Sequence, residues 1–150
     1  DVAEQFWWGA DYYRERVAPG GSWVVWDKRT SGDGAAYADL FGASFELCWT
    51  RQPHKREMIR ILWAMSHGRE GEDVRWVHPT QKPVALARWF IDRYTTPGAV
   101  VVDGYAGSGT LLVAAELSGR AAVVAEVSPA YCDVIRARWA RCAPGATATR

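Results

Sequence analysis

The chain has 150 residues and a net charge of +1, and 49% of its residues are hydrophobic while 23% are charged. These proportions are typical of a globular domain and exclude a disordered tail, a collagen-like repeat and a coiled coil. The longest apolar runs, such as residues 121–125, fall far short of the roughly 20 residues that span a bilayer, so we expect no membrane association.

Hydrophobic patterning predicts an alternation of strands and helices along the chain. A helix is predicted over residues 11–17, strands over 22–27, 45–50 and 58–65, a helix over 82–94, a strand over 99–103, a helix over 110–117, a strand over 121–126 and a helix over 129–141. Loops are predicted over 28–33, 51–56 and 66–77, and a frayed end over 144–150. The continuous apolar run at 99–103 is typical of a parallel strand covered on both faces. The pattern predicts an α/β fold with a doubly wound, Rossmann-like sheet in three layers.

Charge is distributed unevenly, although the net value is small. Residues 1–50 carry 4 basic and 8 acidic side chains, whereas residues 51–93 carry 9 basic and 5 acidic ones. The basic excess is greatest at Arg51, His54, Lys55, Arg56 and Arg60. Such a patch suits a polyanion, because cations that meet phosphates release condensed counterions. A solvated protein face is the alternative interpretation.

The cysteines and the first residues indicate the cellular compartment. Cys48, Cys132 and Cys142 form no C-x-x-C pair and have no nearby histidine partners. They predict thiols in a reducing compartment and no metal site. Residues 1–4 lack the basic and apolar regions of a secretory signal, so we expect a cytoplasmic protein.

The most informative stretch is V-V-D-G-Y-A-G-S-G-T at residues 101–110, which predicts a strand, a turn of small residues and a helix start. Glycines let a backbone approach a ligand, and a helix N-terminus offers free N–H groups. A P-loop would need lysine where Thr110 stands, and a nucleophile elbow would need glycine at Ala106 and Thr110. A dinucleotide fingerprint would need its third glycine where Leu112 stands. A tight turn without a ligand remains an alternative.

An acidic residue, Glu126, follows Asp103 by 23 positions, at the end of the next predicted strand. A carboxylate in that place can accept hydrogen bonds from both hydroxyls of a ribose. A ligand that has a ribose but needs no phosphate clamp fits S-adenosylmethionine (SAM). The alternative for Glu126 is a solvated strand end.

Three motifs succeed one another toward the C-terminus: H-P-T-Q-K-P at 78–83, D-x-x-x-G-S-G-T at 103–110 and E-x-S-P-x-Y-C at 126–132. Together they resemble those of the DNA amino-methyltransferases, which methylate the exocyclic amino group of adenine or cytosine. The order, with the SAM motifs last, is that of the beta class. Three upstream stretches resemble compact phage-type and actinobacterial members, and they lie at 6–13, 23–29 and 45–50.

The resemblance implies SAM as cofactor and double-stranded DNA as partner, and it is compatible with a homodimer. Thr80 and Lys82 would hold the methionine carboxylate, Glu126 the ribose, and His78 would order the turn. The implied cofactor-binding residues are Thr80, Lys82, Asp103, Tyr105, Ala106, Gly107, Ser108, Gly109, Thr110 and Glu126. The DNA-binding residues suggested by charge and position are Lys28, Arg29, Arg51, Lys55 and Arg56. For Lys28 and Arg29 a local ion pair is the alternative.

The sequence departs from the family pattern in two ways. Gly104 stands where the family usually has proline, and no [DNS]-P-P-[YFW] tetrapeptide, the family's catalytic motif, occurs in the chain. S-P-A-Y at 128–131 lies beyond Glu126 and receives no catalytic role, so no catalytic residue is assigned. We expect the catalytic loop and a first strand to precede Asp1, which would leave a gap in the sheet between residues 23–27 and 100–103.

The sequence therefore predicts one methyltransferase domain over residues 1–150, with a target-side half at about 1–77 and a SAM-binding half at about 78–143. The expected activity is methylation of DNA, as in restriction–modification systems. One alternative is a catalytically incomplete module of the same fold that binds SAM or DNA. Another is an NAD-dependent oxidoreductase, against which Leu112 counts.

Overall fold

A computed structural model describes residues 2–29, 43–61 and 77–143. The chain forms two compact units, Asp1–Trp63 and Ala64–Arg150. None of the described helices is long and apolar enough to cross a bilayer. The elements are β1 (Phe6–Trp8), a 3₁₀ helix (Ala10–Arg16), β2 (Ser22–Asp27), β3 (Phe45–Thr50), β4 (Glu57–Arg60), α1 (Val84–Tyr94), β5 (Val100–Asp103), α2 (Thr110–Leu117), β6 (Ala121–Val124) and α3 (Pro129–Cys142).

The predicted elements are confirmed wherever the described residues cover them, with small shifts at their ends. β2, β3 and α2 have the predicted bounds. The strand predicted over 58–65 is present as β4, and its later residues lie outside the described ranges, as do most of the loop predicted over 66–77 and the end predicted to be frayed. β1 was not predicted as a strand, because three residues are too few to show an alternating pattern.

The first unit is a four-stranded mixed sheet in the order β1-β3-β2-β4. β3 pairs antiparallel with both β1 and β2, while β4 pairs parallel with β2. Val24 and Trp26 on β2 and Cys48 on β3 are fully buried. Trp8 packs edge-on against Trp26, with ring centroids 5.9 Å apart. Large apolar side chains on alternate positions thus fix which face of β2 is buried.

The sequence predicts a gap in the sheet between residues 23–27 and residues 100–103. Among the described residues these two segments lie in separate sheets, and no described strand joins them. β2 has a hydrogen-bonded neighbour on each side, β3 on one and β4 on the other. The parallel pairing of β4 with β2 joins segments far apart in sequence, so short-range patterns did not predict it. Within the described residues, the open edges of this sheet belong to β1 and β4.

The second unit contains a parallel β5–β6 pair, joined through α2. Its core consists of Val84 and Ile91 from α1 and of three small residues from α2, which are Val113, Ala114 and Ala115. Val101 and Ala122, on the two strands, pack against this cluster. The strand–helix–strand order and the parallel pairing are those of the predicted α/β fold.

The prediction that the strand at 99–103 is covered on both faces is wrong for the described residues. Side chains alternate between the two faces of a strand, and the core cluster takes Val101 on one face. On the other face Val100, Val102 and Val123 are 61%, 63% and 59% exposed. A continuous apolar run therefore shows that both faces suit burial, but not that the described residues cover both.

Candidate functional site

The glycine loop, residues 103–109, is held by backbone hydrogen bonds at the carboxyl ends of β5 and β6. The Ala106 N–H donates to the Ala125 carbonyl at 3.0 Å, and the Ala125 N–H donates to the Asp103 carbonyl at 2.8 Å. Asp103 Oδ1 accepts the Tyr105 N–H at 2.9 Å. These bonds fix the loop at the sheet edge where open α/β folds bind ligands.

Glu126 closes the loop from the end of β6. Its carboxylate accepts the Ser128 N–H on Oε1 at 2.9 Å and the Gly107 N–H on Oε2 at 2.7 Å. The N–H groups of Ser128 and Gly107 lower the pKa of Glu126, so the group is charged at neutral pH. An ionised carboxylate has about four lone-pair sites, so Glu126 can hold the loop and still accept two further donors.

The H-P-T-Q-K-P segment is hydrogen-bonded to the residue that follows the glycine loop. The Thr110 hydroxyl donates to the Lys82 carbonyl at 3.1 Å, which places Lys82 beside the start of α2. Gln81 is buried, and its side-chain oxygen accepts the Val77 N–H at 3.3 Å. Residues far apart in sequence thus come together at one end of the β5–β6 pair.

His78 orders this segment. Its Nδ1 accepts the Thr80 N–H at 3.2 Å, as expected of a histidine in a turn. The ring lies against Tyr131 with centroids 4.5 Å apart, and a Cβ added to Gly107 would stand 3.4 Å from Nε2. Glycine at 107 therefore lets the histidine ring lie directly on the loop backbone.

Arg138, on α3, supports the glycine loop. The sequence interpretation did not include this residue. Its side chain on α3 is 5% exposed, and Nη1 donates to the Ser108 carbonyl at 2.7 Å and to Ser108 Oγ at 2.9 Å. The helical spacing from buried Ile135 to Arg138 is the one signal that could have indicated burial. Ser108, itself buried, shapes the loop through this contact.

The cofactor residues predicted from sequence divide into exposed and buried groups. Thr80 and Tyr105 are exposed, and Asp103, Lys82 and Glu126 are half-buried. Gly107 and Thr110 are also half-buried, whereas Ala106, Ser108 and Gly109 are buried. The exposed and half-buried residues are the ones available to a ligand.

Gly109 is expected to be intolerant of a side chain. It has a φ of +79°, and an added Cβ would lie 3.0 Å from the Ile135 side chain. Gly98 has the same φ of +79° with nothing within 4 Å, so Gly98→Ala is a matched control. We expect urea unfolding to show a loss of about 1 kcal/mol for Gly98→Ala and of about 2–3 kcal/mol for Gly109→Ala. Equal losses would contradict close packing at Gly109.

The residues predicted to bind DNA lie in the first unit and already make contacts within it. Lys28 Nζ is 2.6 Å from Glu46 Oε1, and Arg29 pairs with Asp27. Arg51 donates to the Val2 carbonyl at 3.2 Å. Lys55 and Arg56 are exposed. The ion-pair alternative for Lys28 and Arg29 is therefore present in the structure.

The basic connector, residues 51–56, is fixed by the start of the chain. His54 Nε2 lies 2.5 Å from Glu4 Oε2, and Glu4 Oε1 accepts the Gln52 N–H at 3.1 Å. The Ser22 hydroxyl donates to the His54 carbonyl at 2.8 Å. These contacts present Lys55 and Arg56 on an ordered loop.

One family model matches most of this chain. This model, described as DNA methylase of the N6/N4 type, matches residues 19–137. The DNA adenine methyltransferase YhdJ of Escherichia coli strain K12 is 43% identical over 81 residues, which are 53% of this chain and 28% of YhdJ. The orphan methyltransferase M.BamHII of Bacillus amyloliquefaciens is 30% identical over 94 residues, which are 57% of this chain and 36% of that protein.

Solved structures agree with this likeness. TTHA0409 of Thermus thermophilus, solved in complex with SAM, is 26% identical with a TM-score of 0.53, over 82% of this chain and 54% of TTHA0409. The cytosine-N4-specific PvuII DNA methyltransferase, 19% identical, has a TM-score of 0.59 over 79% of this chain and 50% of that protein, and it supports the fold alone. The predicted Rossmann-like α/β fold is confirmed, and the chain forms part of that fold. The chain spans about half the length of these structures and a smaller share of the curated relatives.

Proposed function

The chain belongs to the N6/N4 DNA methylase family. On that premise we propose that the protein transfers a methyl group from SAM to an amino nitrogen of adenine or cytosine in DNA. The observation that carries the proposal is the meeting of the glycine loop, Glu126 and the H-P-T-Q-K-P segment at one end of the β5–β6 pair. These are the three motifs on which the resemblance depends.

The residues at this end fit SAM group by group. Glu126 is an ionised acceptor with room for the two ribose hydroxyls. Thr80 and Lys82 supply a hydroxyl and an ammonium, which suit the methionine carboxylate. The exposed N-terminal end of the loop, at Gly104 and Tyr105, leaves the backbone open to a ligand.

A dinucleotide such as NAD fits this site less well. A ribose carboxylate is common to NAD and SAM sites, so Glu126 does not discriminate between them. The third glycine of a dinucleotide fingerprint would fall at Leu112, which lies inside α2. A leucine there lacks the close backbone approach to pyrophosphate that the fingerprint provides.

The methyl group of SAM is activated by its sulfonium, so transfer depends mainly on positioning the acceptor nitrogen in line with it. This chain's residues hold and orient the cofactor. An exocyclic amino group also needs acceptors for its hydrogens and a stacking partner for the flipped base. The 150 residues contain no [DNS]-P-P-[YFW] tetrapeptide to supply them, so we propose that another segment does.

The proposed reaction is tested by incubating the protein with methyl-labelled SAM and duplex DNA, followed by nucleoside analysis. We expect label in N6-methyladenine or N4-methylcytosine when a segment with the tetrapeptide is present, and none with this chain alone. Label at carbon 5 of cytosine would contradict the proposal. Failure of a chain that carries the tetrapeptide to transfer the methyl group would favour a module that binds SAM or DNA without catalysis.

A cytoplasmic location is part of the proposal. Cys48, Cys132 and Cys142 form no disulfide in the structure, and a reducing compartment preserves thiols.

The basic connector is expected to contribute to DNA affinity through phosphates. Replacing Arg51, Lys55 and Arg56 together by Ala should weaken binding and reduce the slope of log K against log salt by about 2–3, because each phosphate contact contributes about 0.9. Fluorescence anisotropy with a labelled duplex at several salt concentrations measures both quantities.

The matched control removes three exposed arginines of the second unit, Arg93, Arg136 and Arg141. This control changes the net charge equally and should leave the slope near that of the unmodified chain. The same slope in both triple variants would assign the connector to an ordinary solvated face.

A further inference from the structure

A buried carboxylate in the first unit accepts hydrogen bonds from two arginines. Asp27 is 1% exposed. Its Oδ1 accepts Arg29 Nε at 2.8 Å, and its Oδ2 accepts Arg29 Nη2 at 3.2 Å and Arg60 Nε at 3.0 Å. The Arg29 guanidinium, aided by Arg60, holds the pKa of Asp27 well below its usual range in spite of burial. The carboxylate is therefore charged at neutral pH.

The topology of the sheet brings these residues together. β2 and β4 run parallel, and Asp27 is the register partner of Arg60 at their last pair. The Ile61 N–H donates to the Asp27 carbonyl at 3.2 Å, and Trp26 Nε1 donates to the Ile61 carbonyl at 2.8 Å. Both strands thus end at one fixed point, at the carboxyl edge where parallel strands present ligand sites.

The cluster carries a net positive charge. One guanidinium neutralises the buried carboxylate, and the second leaves a net charge of one. The Arg29 and Arg60 side chains remain 48% and 54% exposed. Within the described residues, Arg29 Nη1 and the two terminal nitrogens of Arg60 make no hydrogen bond, so they are available to a ligand.

We propose that this arginine pair, Arg29 and Arg60 anchored on Asp27, binds a backbone phosphate of DNA. The proposal rests on the proposed function, which supplies DNA as the partner. Guanidinium forks match phosphate geometry with two parallel hydrogen bonds. Because Asp27 already fixes the Nε side of both forks, little side-chain entropy is lost when a phosphate binds. Lys28, which pairs with Glu46, is not part of this site.

The test compares Arg29→Gln and Arg60→Gln with Arg136→Gln in DNA binding by the full chain. Arg136 is a matched control, because it is 50% exposed and pairs with Asp133 at 2.7 Å in the second unit. Each proposed variant should lower the salt slope by about 1 and the affinity at about 0.1 M salt by about eightfold. The control should change neither quantity. Slopes equal to the control would overturn the proposal.

Two further arms separate anchored arginines from diffuse charge. Asp27→Asn raises the net charge by one, so a merely electrostatic patch would bind DNA more tightly, whereas loss of the anchor weakens binding. Arg60→Lys keeps the charge and loses the fork, so it should weaken binding with little change in slope even if Asp27→Asn fails to fold. Tighter binding by folded Asp27→Asn, or full affinity in Arg60→Lys, would contradict the proposal.

The outcomes distinguish this site from the proposed function. If the unmodified chain binds DNA and both glutamine variants match it, only the arginine-pair site fails. If the unmodified chain shows no DNA binding, the DNA part of the proposed function fails and the site with it. Calorimetry with inorganic phosphate alone should show no saturable binding, and saturation below about 1 mM, near −4.1 kcal/mol, would reassign the site to a free anion.

Discussion

Glu126→Ala should lower the affinity of the chain for SAM by at least about 100-fold. The proposed contact to the ribose has two hydrogen bonds to an ionised carboxylate, and such bonds are stronger than those between neutral groups. The change also removes the acceptors of the Gly107 and Ser128 N–H groups, which frees the loop at the place where the cofactor would lie. Calorimetric titration with SAM measures the change directly.

Two companion variants make this result specific. Glu116→Ala removes a carboxylate on α2 that accepts Trp139 Nε1, and it should leave SAM affinity unchanged. Glu126→Gln keeps one acceptor but turns an NH₂ group toward a backbone N–H, so it should fall close to the alanine variant. SAM affinity in Glu126→Ala equal to that in Glu116→Ala would show that Glu126 is a strand-end residue.

The charge state of Glu126 adds a dependence on pH. Backbone donors lower its pKa from 4.5, so the carboxylate form persists at pH values below that figure. The contribution of Glu126 is then fully present above pH 4.5 and is lost only as the pH falls through the lowered pKa. The ratio of SAM affinities between the unmodified chain and Glu126→Ala should therefore be constant from pH 8 down to about 5.

Arg138→Met should destabilise the second unit by about 3 kcal/mol, because it leaves the Ser108 carbonyl and hydroxyl without their buried donor. The same loss should weaken SAM binding, since Ser108 lies in the glycine loop. Urea denaturation gives the first quantity and calorimetry the second.

Arg136→Met is the matched control for this prediction. Arg136 is exposed on the same helix, α3, and we expect its loss to change stability by less than about 0.5 kcal/mol. Arg138→Lys keeps the charge, but its nitrogen stands one bond nearer the backbone than Nη1 and reaches the Ser108 acceptors less well. The stability of Arg138→Lys should therefore lie between those of the two methionine variants. Stability of Arg138→Met equal to that of Arg136→Met would contradict a supporting role.

Local patterns predicted much of the fold. The bounds of β2, β3 and α2 follow from apolar runs that end at turn residues, so short-range patterning is enough to place them. The loop over 103–109 was also predicted, because glycine at positive φ is a requirement that the sequence shows directly. The position of Glu126 just beyond β6 was predicted from its spacing, which the strand–helix–strand unit fixes.

What local patterns could not give were contacts between distant segments. The position of β4 beside β2 depends on strand pairing, which joins segments far apart in sequence. Asp27 and Arg60 are far apart in sequence and meet only through that register. Arginine is a residue type that usually lies on the surface, and the burial of Arg138 depends on how α3 packs on the loop.

The central claim is that residues of the second unit form a SAM site. Calorimetric titration of the 150-residue chain with SAM, with NAD titrated in parallel, tests it most directly. We predict saturable binding of SAM that is much weaker in Glu126→Ala, and no binding of NAD. Binding of NAD in place of SAM, or no binding of SAM by a chain shown to be folded, would contradict the account.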